Sequence, residues 1–341
     1  MSEEPLLKVE NLSRQFDSGR GFFGGRAAPI RAVRDVSLYV KAGETFGLVG
    51  ESGCGKSTLG RCISQLDAPT SGRVRFAGED LVGLTGTALR QVRRDIQVIF
   101  QDPYGSLNPR KTVGSILSQA FRIHRLHPRS QWREKVAEVL ETVGLLPSHA
   151  DRYPHEFSGG QRQRISIARA LTLRPKLIIA DEPVSALDVS VQSQVLNLMV
   201  SLQRSFGMGY LFISHDLRVV QHIADRVGVM YLGRIVETCE ANALFEAPLH
   251  PYTKSLLSAV PKIGRRKNED RMILQGELPS PSRPPSGCAF HPRCPFSREK
   301  CVQETPRLRE ALPGRQVSCH FPLLPQPYAG SPAVQLEGKT Q

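Results

Sequence analysis

The string Gly50-Glu51-Ser52-Gly53-Cys54-Gly55-Lys56-Ser57 has the spacing G-x-x-x-x-G-K-[ST]. Its glycines let successive backbone N–H groups turn inward around β- and γ-phosphate oxygens, and Cys54 contributes only its main chain. The Lys56 ammonium can bridge the terminal phosphates and the Ser57 hydroxyl can reach Mg²⁺. Thr58 opens the helix whose N-terminus adds partial positive charge. A complementary pair of acids, Asp181 and Glu182, ends the apolar run Leu177-Ile178-Ile179-Ala180. Asp181 there can hold Mg²⁺ through its water shell, while Glu182 can polarise a water in line with the γ-phosphate. Together these residue types point to hydrolysis of a nucleoside triphosphate.

Such groups work only if strand ends deliver them to one place. Short strands are expected at Leu6–Val9, Val36–Val40, Thr45–Val49, Ile96–Phe100, Leu177–Ala180 and Tyr210–Ser214. Helical patterns follow the phosphate loop (Thr58–Leu66) and recur at Val136–Val143 and Gln161–Leu173. Gly19, Gly21, Gly24 and Gly25 mark a flexible loop between the first two strands. Alternating strand and helix predicts a mostly parallel sheet covered on both faces, an α/β fold. Past about residue 250 the composition shifts: Pro279, Pro281, Pro284 and Pro285 are followed by four cysteines, as in a second, small domain.

The chain has 341 residues, 40% hydrophobic and 23% charged, which suits one large globular domain with an appendage and excludes wholesale disorder. No apolar run reaches the length of a transmembrane helix. The N-terminal MSEEPLLKVE lacks a basic segment followed by an apolar one, so a cytosolic protein is expected. The net charge of +13 fits a nucleic-acid, lipid or anionic small-molecule partner. Its basic clusters (Arg90, Arg93, Arg94; Arg122, Arg125, Arg129; Lys262, Arg265, Arg266, Lys267) are not interleaved with stacking aromatics, which favours solvated surface near phosphate or lipid over reading of a nucleic-acid groove.

At Phe157-Ser158-Gly159-Gly160-Gln161-Arg162-Gln163-Arg164, about twenty residues before the acid pair, the chain resembles the ATP-binding cassette family. The resemblance implies that Ser158, Gly159, Gly160 and Gln161 contact the γ-phosphate of ATP held by a facing subunit. It implies further that Gln101 is the Q-loop glutamine, near Mg²⁺ and the attacking water. Ser185-Ala186-Leu187-Asp188 matches the D-loop, and His215 the switch histidine that contacts the γ-phosphate. An aromatic ahead of the phosphate loop stacks on adenine in this family; Phe16 fits by following the first strand, with Phe22 or Phe23 as substitutes. The strings Phe100-Gln101-Asp102-Pro103-Tyr104-Gly105-Ser106-Leu107-Asn108-Pro109-Arg110, Asp181 to Ser190, and His250-Pro251-Tyr252-Thr253 resemble the ATPase subunits of dipeptide and oligopeptide importers, the F-type member of the D/F pair in particular.

Cys288, Cys294, Cys301 and Cys319 leave gaps of five, six and seventeen residues in a proline-rich segment with little core periodicity, which needs a staple. Disulfides are disfavoured in the cytosol. Zinc prefers tighter knuckles, whereas these gaps suit thiolates wrapping a [4Fe-4S] cluster; zinc and unligated thiols stay open, with His291 and His320 near enough to be alternative ligands. The family resemblance implies the iron–sulfur cluster. Cys62 and Cys239 have no matching partners.

The expected architecture is therefore a P-loop, RecA-like cassette over residues 1–255 with an antiparallel β subdomain and a helical insertion near 102–170. A C-terminal cysteine-bearing domain over 256–330 and a tail over 331–341 follow. The expected activity is ATP hydrolysis powering peptide uptake from the cytoplasmic face of the membrane. The resemblance implies two permease subunits, a second related cassette and an extracytoplasmic binding protein as partners, with no nucleic acid. Nickel, glutathione or opines are the alternative cargoes. A cassette acting on nucleic acid is the remote alternative, disfavoured by the single phosphate loop and the absence of a long heptad run.

Overall fold

Alternation of apolar side chains along adjacent strands decides the layering in the computed structural model, which describes residues 4–17, 28–259, 272 and 276–325. In chain order the first strands are β1 (Leu7–Phe16), β2 (Ile30–Val40), β3 (Thr45–Val49), β4 (Ser71–Phe76) and β5 (Glu79–Asp80). Next come β6 (Ile96–Ile99), β7 (Leu177–Asp181), β8 (Gly209–Ser214) and β9 (Arg226–Tyr231). Last are β10 (Arg234–Glu240), β11 (Arg309–Leu312) and β12 (Arg315–Val317).

The strands form two sheets. A four-stranded antiparallel sheet has the order β2-β1-β4-β5. The eight-stranded sheet has the order β11-β12-β10-β9-β3-β8-β7-β6, parallel from β9 through β6 and antiparallel from β9 outward to β11. Its central strands β3 and β8 are buried along their whole length, as expected of parallel strands covered on both faces. Successive residues serve opposite cores. Ile178, Ala180, Tyr210 and Phe212 face the helices, whereas Leu177, Ile179, Leu211 and Ile213 face the helix Lys56–Ile63 and the antiparallel sheet.

Between β6 and β7 the chain forms the helices Pro103–Ser106, Val113–His124, Trp132–Thr142 and Gly159–Leu171 with three short 3₁₀ turns. Val113, Leu117, Phe121, Val136, Leu140 and Ile165 are the buried stripes by which the longer helices meet. The helix Val189–Phe206 ends at Gly207, in the left-handed conformation. Beyond the helix Pro251–Ser258, β12 pairs with β10 and Phe290 joins the larger core, so the cysteine-bearing segment extends the main sheet.

Two expectations need correction. The first two strands are longer than expected, because β1 and β2 stay paired from Leu7↔Val40 to Phe16↔Ile30. Phe16 is therefore the last residue of β1 rather than a loop residue after it. Gly19, Gly21, Phe22, Phe23, Gly24, Gly25, the basic run at 262–267 and the tail 331–341 lie outside the described residues. Among the described residues no helix is long and apolar enough to cross a membrane.

Candidate nucleotide-binding site

Parallel register brings the chemistry together. Val49 pairs with Ser214, Asp181 with Ile213, and Ile99 with Ala180, so the carboxyl ends of β3, β8, β7 and β6 fall along one edge. The residues that follow them, the phosphate loop, His215, Glu182 and Gln101, are delivered to the same crevice.

The loop is shaped by close main-chain approach. Gly50 has φ +153, and a Cβ there would lie 2.2 Å from the Met230 carbonyl oxygen; Gly55 has φ +107, and its Cβ would meet the Ala32 oxygen at 2.1 Å. Only glycine fits either place. Gly233 N–H donates to the Cys54 carbonyl at 2.8 Å, and the Cys54 thiol is buried behind the loop, where burial raises its pKa. Lys56 is 4% exposed. Its Nζ donates to the carbonyls of Gly50 (2.8 Å) and Glu51 (3.0 Å), with Cys54 Sγ at 3.9 Å, and among the described residues no carboxylate pairs with it. A buried ammonium without a counter-ion is a site for an anion.

Ser57 Oγ donates to Asp181 Oδ1 at 2.9 Å, placing a hydroxyl and a carboxylate side by side at the start of the helix. Burial pushes the Asp181 pKa up, the Ser57 hydrogen bond opposes this, and the Glu182 charge adds to it. A bound cation would reverse that direction. Glu182 adopts φ +48 and anchors its N–H on the Ile213 carbonyl at 2.9 Å. One carboxylate oxygen accepts from Gln101 Nε2 at 3.0 Å and the other lies 3.1 Å from His215 Nδ1. Gln101 is thus engaged with Glu182 rather than with the Ser57–Asp181 pair.

A cleft of about 540 Å³ runs over these groups, lined by Gly53, Gly55, Lys56, Ser57, Thr58, Gln101, Glu182 and His215, with Phe16, Ile30 and Pro281 on its other side. The Phe16 ring has the Arg14 guanidinium 4.4 Å from its centroid. Gly50, Cys54 and Asp181 sit behind or beside the cleft. Asp181, Ser57 and Gln101 also border a neighbouring cleft of about 470 Å³, with the exposed Phe100.

Ser158, Gly159, Gly160, Gln161 and Asp188 do not line the phosphate cleft. Ser158 caps the helix Gly159–Leu171 in a reciprocal box: Gln161 N–H donates to Ser158 Oγ at 3.3 Å, and Ser158 N–H to Gln161 Oε1 at 3.1 Å. A Cβ on Gly160 would lie 2.4 Å from Val191 Cγ1, so the turn packs directly on the start of the helix Val189–Phe206, which Asp188 precedes.

Cys288, Cys294, Cys301 and Cys319 line one small pocket with Phe290, Phe296 and Phe321. All seven cysteines are free. Burial chiefly raises the pKa of Cys288, and pushes Cys294 and Cys319 up to about 11, with the neighbouring sulfurs adding to it. His291 and His320 also border the pocket, each with one ring nitrogen 2.9 Å from a backbone carbonyl, of Cys288 and Glu304 respectively. Among the described residues no three His, Cys, Asp or Glu side chains are grouped to hold a single metal ion. Cys62 and Cys239 are buried elsewhere, with burial driving their pKa values to about 11 and about 12.

Sequence reasoning missed the side chains behind the loop. Arg293 makes a two-pronged ion pair with Glu51, and the Tyr252 hydroxyl accepts from the Glu51 N–H at 3.0 Å. The string His250-Pro251-Tyr252-Thr253 carried a family resemblance but no hint of this contact.

The chain is similar to known proteins along most of its length. Residues 33–185 match the family model described as ABC transporter, and residues 236–301 the one described as Oligopeptide/dipeptide transporter, C-terminal region. The oligopeptide transport ATP-binding protein AppF of Bacillus subtilis (strain 168) is 53% identical over 323 residues, 94% of this chain and 98% of that protein. The di/tripeptide transport ATP-binding protein DppF of Pseudomonas aeruginosa (strain UCBPP-PA14) is 51% identical over 317 residues, 93% of this chain and 98% of its own length. Among solved structures, the ATP-binding cassette MJ0796, a dimer in a post-hydrolysis state with ADP and Pi, superposes with a TM-score of 0.60 at 28% identity, covering 69% of this chain and 98% of that one.

Proposed function

The chain belongs to the ABC transporter family of ATP-binding proteins, in the branch with the oligopeptide/dipeptide transporter C-terminal region, and on that premise we propose that it hydrolyses ATP to drive import of short peptides. The observation that carries the reading is the buried Lys56 ammonium, with which no carboxylate pairs among the described residues, in one cleft with the Gln101–Glu182–His215 cluster and beside the Ser57–Asp181 pair. Lys56 and the inward N–H groups of the loop take the β- and γ-phosphates, and Phe16 takes the adenine. Ser57 and Asp181 fit Mg²⁺, being hard oxygen donors held 2.9 Å apart. When bound, that ion neutralises charge on the phosphates. Glu182, its two oxygens aimed by Gln101 and His215, orients the attacking water and takes its proton as the bond to the γ-phosphorus forms and the bond to the leaving ADP oxygen breaks. His215 then faces the γ-phosphate. Measuring ATP turnover in Glu182→Gln, with ATP binding followed separately, tests the assignment.

Ser158, Gly159, Gly160, Gln161 and Asp188 serve the ATP of a facing cassette, because they lie outside this chain's own cleft. The dimeric state of the MJ0796 cassette supports such a pair. We take the partner to be a related cassette, and both to grip two permease subunits at the cytoplasmic face of the membrane through the groove beside Gln101 and Phe100. An extracytoplasmic binding protein would deliver the peptide. The cargo reading rests on the relatives named for oligopeptide and di/tripeptide transport. Residues 1–255 are the cassette in this reading, and 256–330 a C-terminal unit carrying the cysteines.

For that unit we favour a [4Fe-4S] cluster on Cys288, Cys294, Cys301 and Cys319. What supports it is that the four thiols line one pocket and that their gaps in sequence are wider than those of zinc knuckles. The cluster would act as a structural staple.

A further inference from the structure

The phosphate loop is gripped from behind by residues far along the chain. Glu51, the second residue of the loop, accepts from Arg293 at both carboxylate oxygens, Nη1 to Oε2 at 2.7 Å and Nη2 to Oε1 at 3.0 Å. This fork geometry fixes orientation as well as position. The Arg293 side chain is 6% exposed and Glu51 27%, so the pair is largely shielded from water. The guanidinium carbon lies 5.9 Å from the centroid of the Tyr231 ring, and Tyr231 packs with Tyr252 and Phe290 at centroid distances of 4.7 and 5.3 Å. The Tyr252 hydroxyl receives the Glu51 N–H, and the Glu51 carbonyl receives Lys56 Nζ. Glu51 is thus held by its carboxylate, its amide and its carbonyl at once. Arg293 comes from the turn His291–Arg293, directly before Cys294 and five residues after Cys288.

We propose that Arg293 is a positioning residue of the nucleotide site: from the C-terminal segment it fixes Glu51, and through the Glu51 main chain it aims the Lys56 ammonium, so that this segment sets ATP affinity. The inference rests on the ATP-site reading above. An unanchored Glu51 frees the carbonyl that holds Lys56, and a less well aimed ammonium weakens anion binding.

The test measures binding of a fluorescent ATP analogue and steady-state KM and kcat on the full chain, the latter in the assembled transporter. Arg293→Ala is expected to weaken nucleotide binding about 10- to 100-fold, the range found when a partner that orients a ligating group is lost. KM should rise by a similar factor while kcat at saturating ATP changes less. Arg293→Lys, a point charge without the fork, should recover part of the loss. The exchange Glu51→Arg with Arg293→Glu should bind better than either single variant. If Arg293→Ala does not fold, Glu51→Gln takes its place with the same expected direction. Unchanged affinity in a folded Arg293→Ala or Glu51→Gln, or an exchange no better than the singles, overturns the proposal. Lys56→Ala separates the two failures: if it binds nucleotide normally the ATP-site reading itself falls, whereas if it does not bind while Arg293→Ala does, only this inference falls.

Discussion

The phosphate cleft and the thiol pocket are built in opposite ways. In the first, a short string of residues follows a buried strand, and neighbouring parallel strands add one or two side chains each at the same edge. The cleft holds the buried Lys56 ammonium, with which no carboxylate pairs among the described residues. In the second, four thiols come from a segment whose regular structure is one 3₁₀ turn, one short helix and two short strands. Three of the thiols have raised pKa values, because they face phenylalanine rings and one another. The comparison teaches that the cleft is shaped by backbone geometry at the ends of parallel strands, whereas the pocket is assembled from side chains of a segment with little regular structure.

Lys56→Ala breaks the first half of that comparison most sharply. With the buried Lys56 ammonium gone, binding of an ATP analogue by the purified chain should fall below detection in a fluorescence titration. Retained binding would mean that the loop amides alone suffice. Glu182→Gln keeps shape and removes the base. Turnover in the assembled transporter should drop by about 10²- to 10⁴-fold while the analogue still binds, and undiminished turnover would take Glu182 out of the chemistry.

On the other half, Cys294→Ser should strip colour and iron from anaerobically purified protein, in which the unaltered chain would carry iron and acid-labile sulfide at about four per chain. Proteolysis should then begin beyond residue 285 before it reaches the cassette. A colourless, iron-free parent protein with a protease-resistant C-terminal segment would show that packing alone orders the thiols. The smallest effect is expected from Ser158→Ala. Losing the reciprocal cap should cost about 1 kcal/mol in a denaturation experiment. Nucleotide binding by the single chain should not change, because Ser158 lies outside its own cleft, but hydrolysis by the paired cassettes should fall. Weakened binding in a monomeric sample would place Ser158 in its own chain's site.

Much of the cleft was legible because its demands are local. Glycines at set intervals, a lysine and a serine at a helix start, and acids after an apolar run each follow from what a strand ending in a tight turn can present. The strands β3 and β8 were read within a residue of their ends, since uninterrupted burial leaves a continuous apolar run. The ends of β1 and β2 were not, because fewer than half of the residues of each strand are buried and only pairing with its neighbour extends it to Phe16 and Ile30. The four cysteines stood out by composition and spacing, while the tying of each flanking histidine to a carbonyl did not.

By itself, the order of residues determined the phosphate loop, the acid pair, the signature turn and the alternation of strand and helix, since each depends on spacing that backbone geometry converts directly into position. Only the tertiary structure decided that Glu182 stands between Gln101 and His215, and that Arg293 reaches Glu51 across 242 positions of sequence. Contacts of that kind have no periodicity to announce them. They exist because β9 and β10 carry the later chain back beneath the loop, where burial makes a charge seek its partner.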